Sequence, residues 1–484
     1  MTVRELEPQC VWNNFDRLTA IPRASRHEEQ VSAFLEDFGR NLGLQTERDS
    51  VGNVLIHKPA SPGMEGRPKV ILQAHMDMVP QKDKDKVHDF LTDPIKTHIE
   101  VIDGEQWVMA DRTTLGADDG LGCAAIMAVL ESDTLRHGPV DGFFTIGEET
   151  GMTGVRNVKP GFLSGDYLIN FDSETEGELY VGCAGGYDFN AQFNFERVQV
   201  PQDHVSLELT FEGMLGGHSG MDIEKGRLNA NKIASRCILP LVRDKGCMLV
   251  SFVGGDMRNA IPREAVVVIT VPRDKMDEVA GFVGEFSAEV KNEAGAVDPD
   301  FVISIRQTES GPAIERESAL NLLRAVVSCP DGVFRMSLDI EGVVDSSNNI
   351  AIVRTDGQSA KVTCMLRGLT DSLKIAEAQA VRSIFEMAGA EFVFSGWYSG
   401  WKPNMNSPVL KKMKETYVSL FGSEPAVKAL HGGLECGILS GVYPDIQMIS
   451  CGPTLCSPHS PDERALVPSV SKWWKLIVST LESI

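Results

Sequence analysis

Four short segments, NVLIH at 53–57, KVILQAH at 69–75, GFFTIG at 142–147 and DYLINFD at 166–172, are apolar almost from end to end. A strand wetted on one face alternates apolar with polar residues, whereas a strand covered on both faces does not. The helical pattern DGLGCAAIMAVLES lies between the second segment and the third. Together they predict an α/β architecture, a largely buried mixed sheet flanked by helices. Upstream, Ser25 and Glu28 have the spacing of a capping box ahead of EEQVSAFLEDFGRNLG, which predicts a helix ending near Gly43.

The pattern changes near residue 187. Longer, alternating strands (VSLELTF, MLVSFVGG, AVVVITV, FVISI) mix with two amphipathic helices, and a similar order of helix, strand, strand, helix and strand recurs from 317 to 395. The second set includes the hairpin NNIAIVRTDGQSAKVTCML, with Asp356-Gly357 as a tight-turn signal. After SGWYSGWKPN the chain returns to helix and strand alternation in KKMKETYVSLFG and DIQMIS. The last stretch would make a marginal core by itself. The expected organisation is therefore an α/β domain built from 1–186 and 400–484, interrupted over 187–399 by an α+β lid domain of two related halves.

The 68 acidic and 46 basic residues give a formal charge of −22, which argues against nucleic-acid and anionic-membrane partners. No run reaches the roughly 18 apolar residues of a membrane span, and MTVRELEPQC lacks a signal peptide's basic start and apolar centre. The ten cysteines include no C-x-x-C pair, so neither a zinc ribbon nor a thioredoxin-like site is indicated. A cytoplasmic protein with reduced thiols is expected.

The apolar strands end in side chains that bind metals. His75 and Asp77 follow KVILQA, Glu148 and Glu149 follow GFFTIG, Asp172 closes YLINFD, and His459 lies beyond DIQMISCGPTLCSP, while Asp118 precedes a helix in LGADDGLG. Taken singly, each has a dull explanation: Asp118 as a helix cap, Asp172 as a turn, a histidine as packing or surface. Ligands of open α/β sheets gather outside the carboxyl ends of the strands, so these segments can share one crevice. Histidines and carboxylates without thiolates suit zinc, manganese or cobalt in a catalytic site. One metal would leave ligands over; two metals about 3.5–4 Å apart, bridged by a carboxylate, use them all.

These motifs, with PRASRHEEQ, ILQAHMDMVPQK, TTLGADDGLG, EETGM, DSETEGELYVGCAGG, LGGHSG, RNAIPRE, HGGLECG and SPHSPDE, cover essentially the whole chain. They resemble the dinuclear-zinc exopeptidases that include aminoacylase, carboxypeptidase G and carnosinase. The resemblance implies that His75, Asp118 and Asp172 bind one zinc and that Asp118, Glu149 and His459 bind the other, with Co2+ or Mn2+ as substitutes. It implies that Asp77 orients His75 and that Glu148 is the general base. It also implies that His218, Asn259 and Arg367 contact substrate, with Arg367 offering a planar fork to a dipeptide carboxylate and His218 polarising the scissile carbonyl. Gly432 and Gly433 would let backbone approach a ligand closely. The activity implied is hydrolysis of unblocked dipeptides, Xaa-His such as carnosine preferred, by a metal-activated water in a cytoplasmic homodimer. The chain departs from the pattern at Asp119, where relatives carry asparagine, and at Cys456, which replaces a small residue.

Other readings compete with this one. GGHSGMD is not a serine-hydrolase elbow, because Met221 stands where G-x-S-x-G needs glycine. A deacetylase or aminoacylase would keep the metals and take N-acylated amino acids. A metal-binding scaffold would use the same fold, but it would have no need of both Asp77 and Glu148.

Overall fold

The segments read as buried strands lie side by side in an eight-stranded sheet. The structure, a computed structural model, describes residues 2–484. The strands of this sheet are β1 (Gln45–Arg48), β2 (Val54–Lys58), β3 (Val70–His75), β4 (Val140–Thr145), β5 (Tyr167–Asn170), β6 (Glu178–Cys183), β7 (Ala426–Leu430) and β8 (Gln447–Ser450). Their spatial order is β1-β2-β4-β3-β5-β8-β6-β7. The central β4, β3, β5 and β8 run parallel, and β1, β2 and β6 pair antiparallel at the flanks, so the sheet is mixed. Every residue of β3 and β4 is buried, as continuous apolar runs require.

The helix Ala117–Glu131 is buried on all sides from Ala117 to Leu130 and packs on β3 and on the helix Gln9–Thr19. An all-round apolar helix belongs inside a protein. Asp118 and Asp119 lack helical dihedrals, so the two acids stand at a break ahead of the regular turns.

The expected capping box does not form. The helix runs Glu29–Asn41 with Glu28 as its N-cap and no side-chain cap bond. Ser25 Oγ donates instead to Asp77 Oδ2 (2.8 Å) and to the Met78 carbonyl (3.1 Å). A buried carboxylate that must stay charged attracts the hydroxyl more strongly than a helix end that solvent can satisfy.

The chain divides into two compact units. One comprises the chain up to Gly182 with Pro403–Ala429 and Leu434–Ile484; the other comprises Cys183–Lys402 and Leu430–Gly433. The second unit is built on a nine-stranded sheet with one continuous core that includes Phe189, Phe211, Phe252, Leu323 and Phe385. One half of this unit contains the strands His204–Glu212, Met248–Gly254, Ala265–Pro272 and Val302–Gln307 with the helices Ala230–Asp244 and Met276–Ala294. The other contains the strands Gly185–Asn194, Val344–Asp356, Ser359–Gly368 and Glu391–Tyr398 with the helices Arg316–Ser328 and Asp371–Met387. Numbered within each half, the strands lie in the order 4-1-3-2, and the two second strands pair through Val253↔Arg354 and Gly254↔Val353. The halves are not consecutive in the chain: Gly185–Asn194 belongs to the second half and comes before the whole of the first. The chain enters and leaves the first half through a short pair, Arg197–Val198 with Ala313–Ile314.

Candidate active site

The four parallel strands present their carboxyl ends together, and the predicted metal-type side chains arrive there. His75 ends β3; Glu148 and Glu149 lie on the turn after β4; Asp172 follows β5. His459 comes from a loop beyond β8 in a left-handed backbone conformation, φ 61°. Asp118 occupies the centre, with Oδ1 3.0 Å from His75 Nε2 and Oδ2 3.1 Å from His459 Nε2. Asp172 Oδ1 lies 3.7 Å from His75 Nε2, and Glu149 Oε1 lies 2.9 Å from His459 Nε2. Each imidazole thus has Asp118 on one side and a carboxylate of its own on the other.

Two sets of donor atoms fall within 4.8 Å of one another: those of His75, Asp118 and Glu149, and those of His75, Asp119 and Asp172. Neither set contains a cysteine, so Cys456 takes no part in them. Asp119 Oδ2 is buried and accepts no hydrogen bond, and buried Glu149 Oε1 has only the 2.9 Å ion-pair contact with His459 Nε2. Orphaned anionic oxygens beside imidazole nitrogens are the donor set a divalent cation satisfies.

The electrostatics follow from the crowding. Burial alone would lower the His75 imidazole, but Asp118, Asp172 and Asp77 override it and hold it well above its usual range. Asp118 and Glu149 push His459 up to about 11. Burial raises Asp172 to about 6 against the pull of His75. Burial also lifts Glu148 well above the carboxylate range, opposed by His75 and reinforced by Asp172, Glu149 and Glu435. These protons are what a cation would displace.

Asp77 is fully buried and does more than face His75. Its Oδ1 lies 3.4 Å from His75 Nδ1 and accepts from the Glu148 N–H at 3.1 Å, while Oδ2 accepts from the Glu149 N–H at 3.4 Å and from Ser25. It therefore ties the imidazole to the turn that carries both glutamates.

Other supports were not legible as site residues. Glu463 accepts the N–H groups of Leu115, Gly116, Ala117 and Asp118 at 2.7–3.3 Å and so fixes the turn that presents Asp118. Buried Arg23 donates to the carbonyls of Met76 and Asp77 and to that of Gly116, joining this turn to the end of β3. Burial, with Asp118 adding, raises Glu174 to about 8. The acid in SPHSPDE and the arginine in PRASRHEEQ were the signals available for the first two.

In the second unit, Arg367 is 3% exposed yet has only neutral partners: Ser219 Oγ at 3.3 Å, Tyr398 Oη at 3.4 Å and His218 Nε2 at 3.5 Å. Among the described residues no carboxylate pairs with it. His218 Nδ1 accepts from the N–H groups of Met221 and Gly220. Asn259 adjoins this cluster through its backbone, its carbonyl accepting from the Ser219 N–H at 2.8 Å. His431, unread in the sequence, bonds Ser347 Oγ at 2.7 Å, and burial, then Arg367 and His218, lower it to about 3. A buried cation without a counter-ion recognises anions.

A mixed sheet with carboxylates and histidines at its carboxyl edge defines a class, and the comparison with known proteins identifies it. Residues 71–483 match the profile of Peptidase family M20/M25/M40. The chain belongs to this family and is a peptidase, a hydrolase acting on peptide bonds. It is 41% identical over 484 residues to the cytosol non-specific dipeptidase of Escherichia coli (strain K12), covering 99% of this chain and 98% of that relative. Among solved structures it matches aminoacylhistidine dipeptidase from Vibrio alginolyticus with a TM-score of 0.91 and 41% identity, over 100% of this chain and 98% of that one. Aminopeptidase PepT from Bacillus cereus shares the fold, with a TM-score of 0.58 at 18% identity over 99% and 98% of the chains.

Replacing Glu463 by glutamine would turn an amide donor toward the N–H groups it now accepts. Glu463→Gln should lower stability by about 1–3 kcal/mol, read as a shift in the urea unfolding midpoint with unchanged slope.

Proposed function

We propose that the chain is a cytoplasmic dinuclear-metal dipeptidase that hydrolyses unblocked dipeptides, with Xaa-His such as carnosine preferred. The observation that carries this reading is Asp118 between two histidines, one oxygen to each. The names of the similar proteins, a cytosol dipeptidase and an aminoacylhistidine dipeptidase, support the substrate class and the compartment. No helix among the described residues is long and apolar enough to cross a membrane.

In this reading His75, Asp118 and Asp172 hold one zinc and Asp118, Glu149 and His459 the other, with Co2+ or Mn2+ as substitutes. Bound there, the ions supply Lewis acidity and lower the pKa of a water toward 7. The residues do the rest. Glu148 carries a carboxyl whose raised proton affinity suits a group that takes a proton from the attacking water and returns it to the leaving nitrogen. Asp77 holds His75 in one orientation and the Glu148 turn beside it. Arg367 receives the substrate carboxylate, and His218 polarises the scissile carbonyl. Asn259 completes this group through its backbone bond with Ser219.

We also propose a homodimer formed through the second unit, whose sheet ends in the strands Val302–Gln307 and Glu391–Tyr398 with Val302, Ile305 and Val393 exposed. Light scattering of the active protein at the monomer mass would exclude it.

Carnosine and other Xaa-His dipeptides should be cleaved faster than tripeptides and N-acetyl amino acids, and a chelator should abolish the activity. Equal or faster release from N-acetyl amino acids would instead make the protein an aminoacylase.

The adjacent glutamates should fail differently. Glu148→Gln cannot accept a proton, so turnover should fall roughly 10²- to 10⁴-fold while metal content stays at two ions per chain. Glu149→Gln loses an anionic ligand and should purify metal-poor, regaining some activity in excess zinc. Elemental analysis of both variants decides, since the opposite pattern would exchange the two roles.

A further inference from the structure

Beneath the cluster of histidines and carboxylates, a file of hydrogen bonds crosses the carboxyl ends of the parallel strands. Ser450 Oγ at the end of β8 donates to Asn170 Oδ1 (2.5 Å), and Asn170 Nδ2 of β5 donates to Gln73 Oε1 (2.7 Å). Gln73 Nε2 of β3 then donates to Glu435 Oε2 (2.5 Å). From the other side Thr145 Oγ1 of β4 donates to the same oxygen (2.6 Å). Gln73 is in register with Asn170, and Asn170 with Ser450, so these side chains lie at one level of the sheet. All five side chains are fully buried.

Every donor in the file points toward Glu435, where it ends on one oxygen. The other, Oε1, has no partner among the described residues. Glu435 opens the helix Glu435–Val442 and belongs to none of the donor sets above. Burial, with Asp172 and Asp77 adding to it, outweighs Thr145 and His75 and pushes its carboxyl up to about 8.

The residues tied by the file stand just ahead of the reacting groups in the chain. Gln73 is two residues before His75, Asn170 two before Asp172, and Thr145 three before Glu148. We propose that Glu435 is a positioning residue for the peptidase reaction, the common acceptor that locks the ends of β3, β4 and β5 and thereby sets the spacing of His75, Glu148, Glu149 and Asp172. This rests on the reading that those four residues carry the chemistry. Without the acceptor, Gln73 Nε2 keeps only its 3.3 Å bond to Thr145 Oγ1, and Thr145 Oγ1 only its 3.3 Å bond to the Ala74 carbonyl, so each strand end loses its shortest anchor and is free to shift or admit water. Errors of about 1 Å in such positioning cost on the order of 10²-fold in rate.

The test compares Glu435→Gln, which keeps an acceptor oxygen in the neutral state, with Glu435→Leu, which keeps the bulk and removes the acceptor. Three quantities are read: kcat, KM for a dipeptide, and zinc affinity by chelator competition without substrate. Glu435→Gln should stay within about threefold of the parent in all three. Glu435→Leu should lose about 10- to 100-fold in kcat with KM little changed, and about 10-fold in zinc affinity, the scale on which groups behind metal ligands act. If Glu435→Leu does not fold, Thr145→Val and Gln73→Leu each remove one donor and should lower kcat several-fold. Parent-like kcat and zinc affinity in Glu435→Leu, or in both donor variants, overturns the proposal. So does Glu435→Gln falling as far as Glu435→Leu, because the carboxyl itself would then be needed. If the parent protein cleaves no dipeptide, the substrate reading fails, but the zinc arm still tests the positioning.

Discussion

Asp118 gives one carboxylate oxygen to each of two histidines, one from the first sixth of the chain and one from near its end, and the rest of the first unit is arranged around that division. A carboxylate so deeply buried is expensive unless cations or donors surround it. Here the imidazoles supply both, and they draw in Asp172 and Glu149, whose mutual repulsion pushes protons back onto the site. The fold resists this repulsion by fixing backbone. Glu463 gathers four N–H groups beneath Asp118, and Asp77 gathers two beneath the paired glutamates. The acids are tolerated where they are because they cannot move apart.

The sheet was legible because burial on both faces leaves an almost continuous apolar run, and every residue of β3 and β4 is buried. The convergence of His75, Asp118, Glu149, Asp172 and His459 was legible for a related reason: parallel strands can deliver their ends only to one edge. Supports were harder to see. Ser25 has the spacing of a cap, and only the fold reveals that Asp77 outbids the helix for its hydroxyl. Glu463 and Glu435 are acids after loops, and their importance comes from what the tertiary structure places against them. Arg367 and His218 carry no periodic signal; what marks Arg367 is a buried charge whose hydrogen-bond partners are all neutral, a property of packing and not of sequence.

The interleaving of the second unit was hidden because a repeat is sought along the chain. The recurring order of helix, strand, strand, helix and strand begins at the helix Arg316–Ser328, whereas the strand that completes it, Gly185–Asn194, lies before the first half. That placement has a consequence for how the protein emerges from the ribosome. The first half, from His204 to Gln307, closes its own sheet with strands made close together in time, and its entry and exit are stapled by Arg197–Val198 against Ala313–Ile314. The strand Gly185–Asn194, by contrast, is made early and has no permanent neighbour until Ser359–Gly368 and Glu391–Tyr398 arrive. Its long wait raises the contact order of the second half and leaves an apolar strand, with Phe189 and Phe193 on its inner face, open to wrong pairings during synthesis. In the second unit the first half can serve as a finished template, and the last strand of that unit to be made is also the one that covers its first.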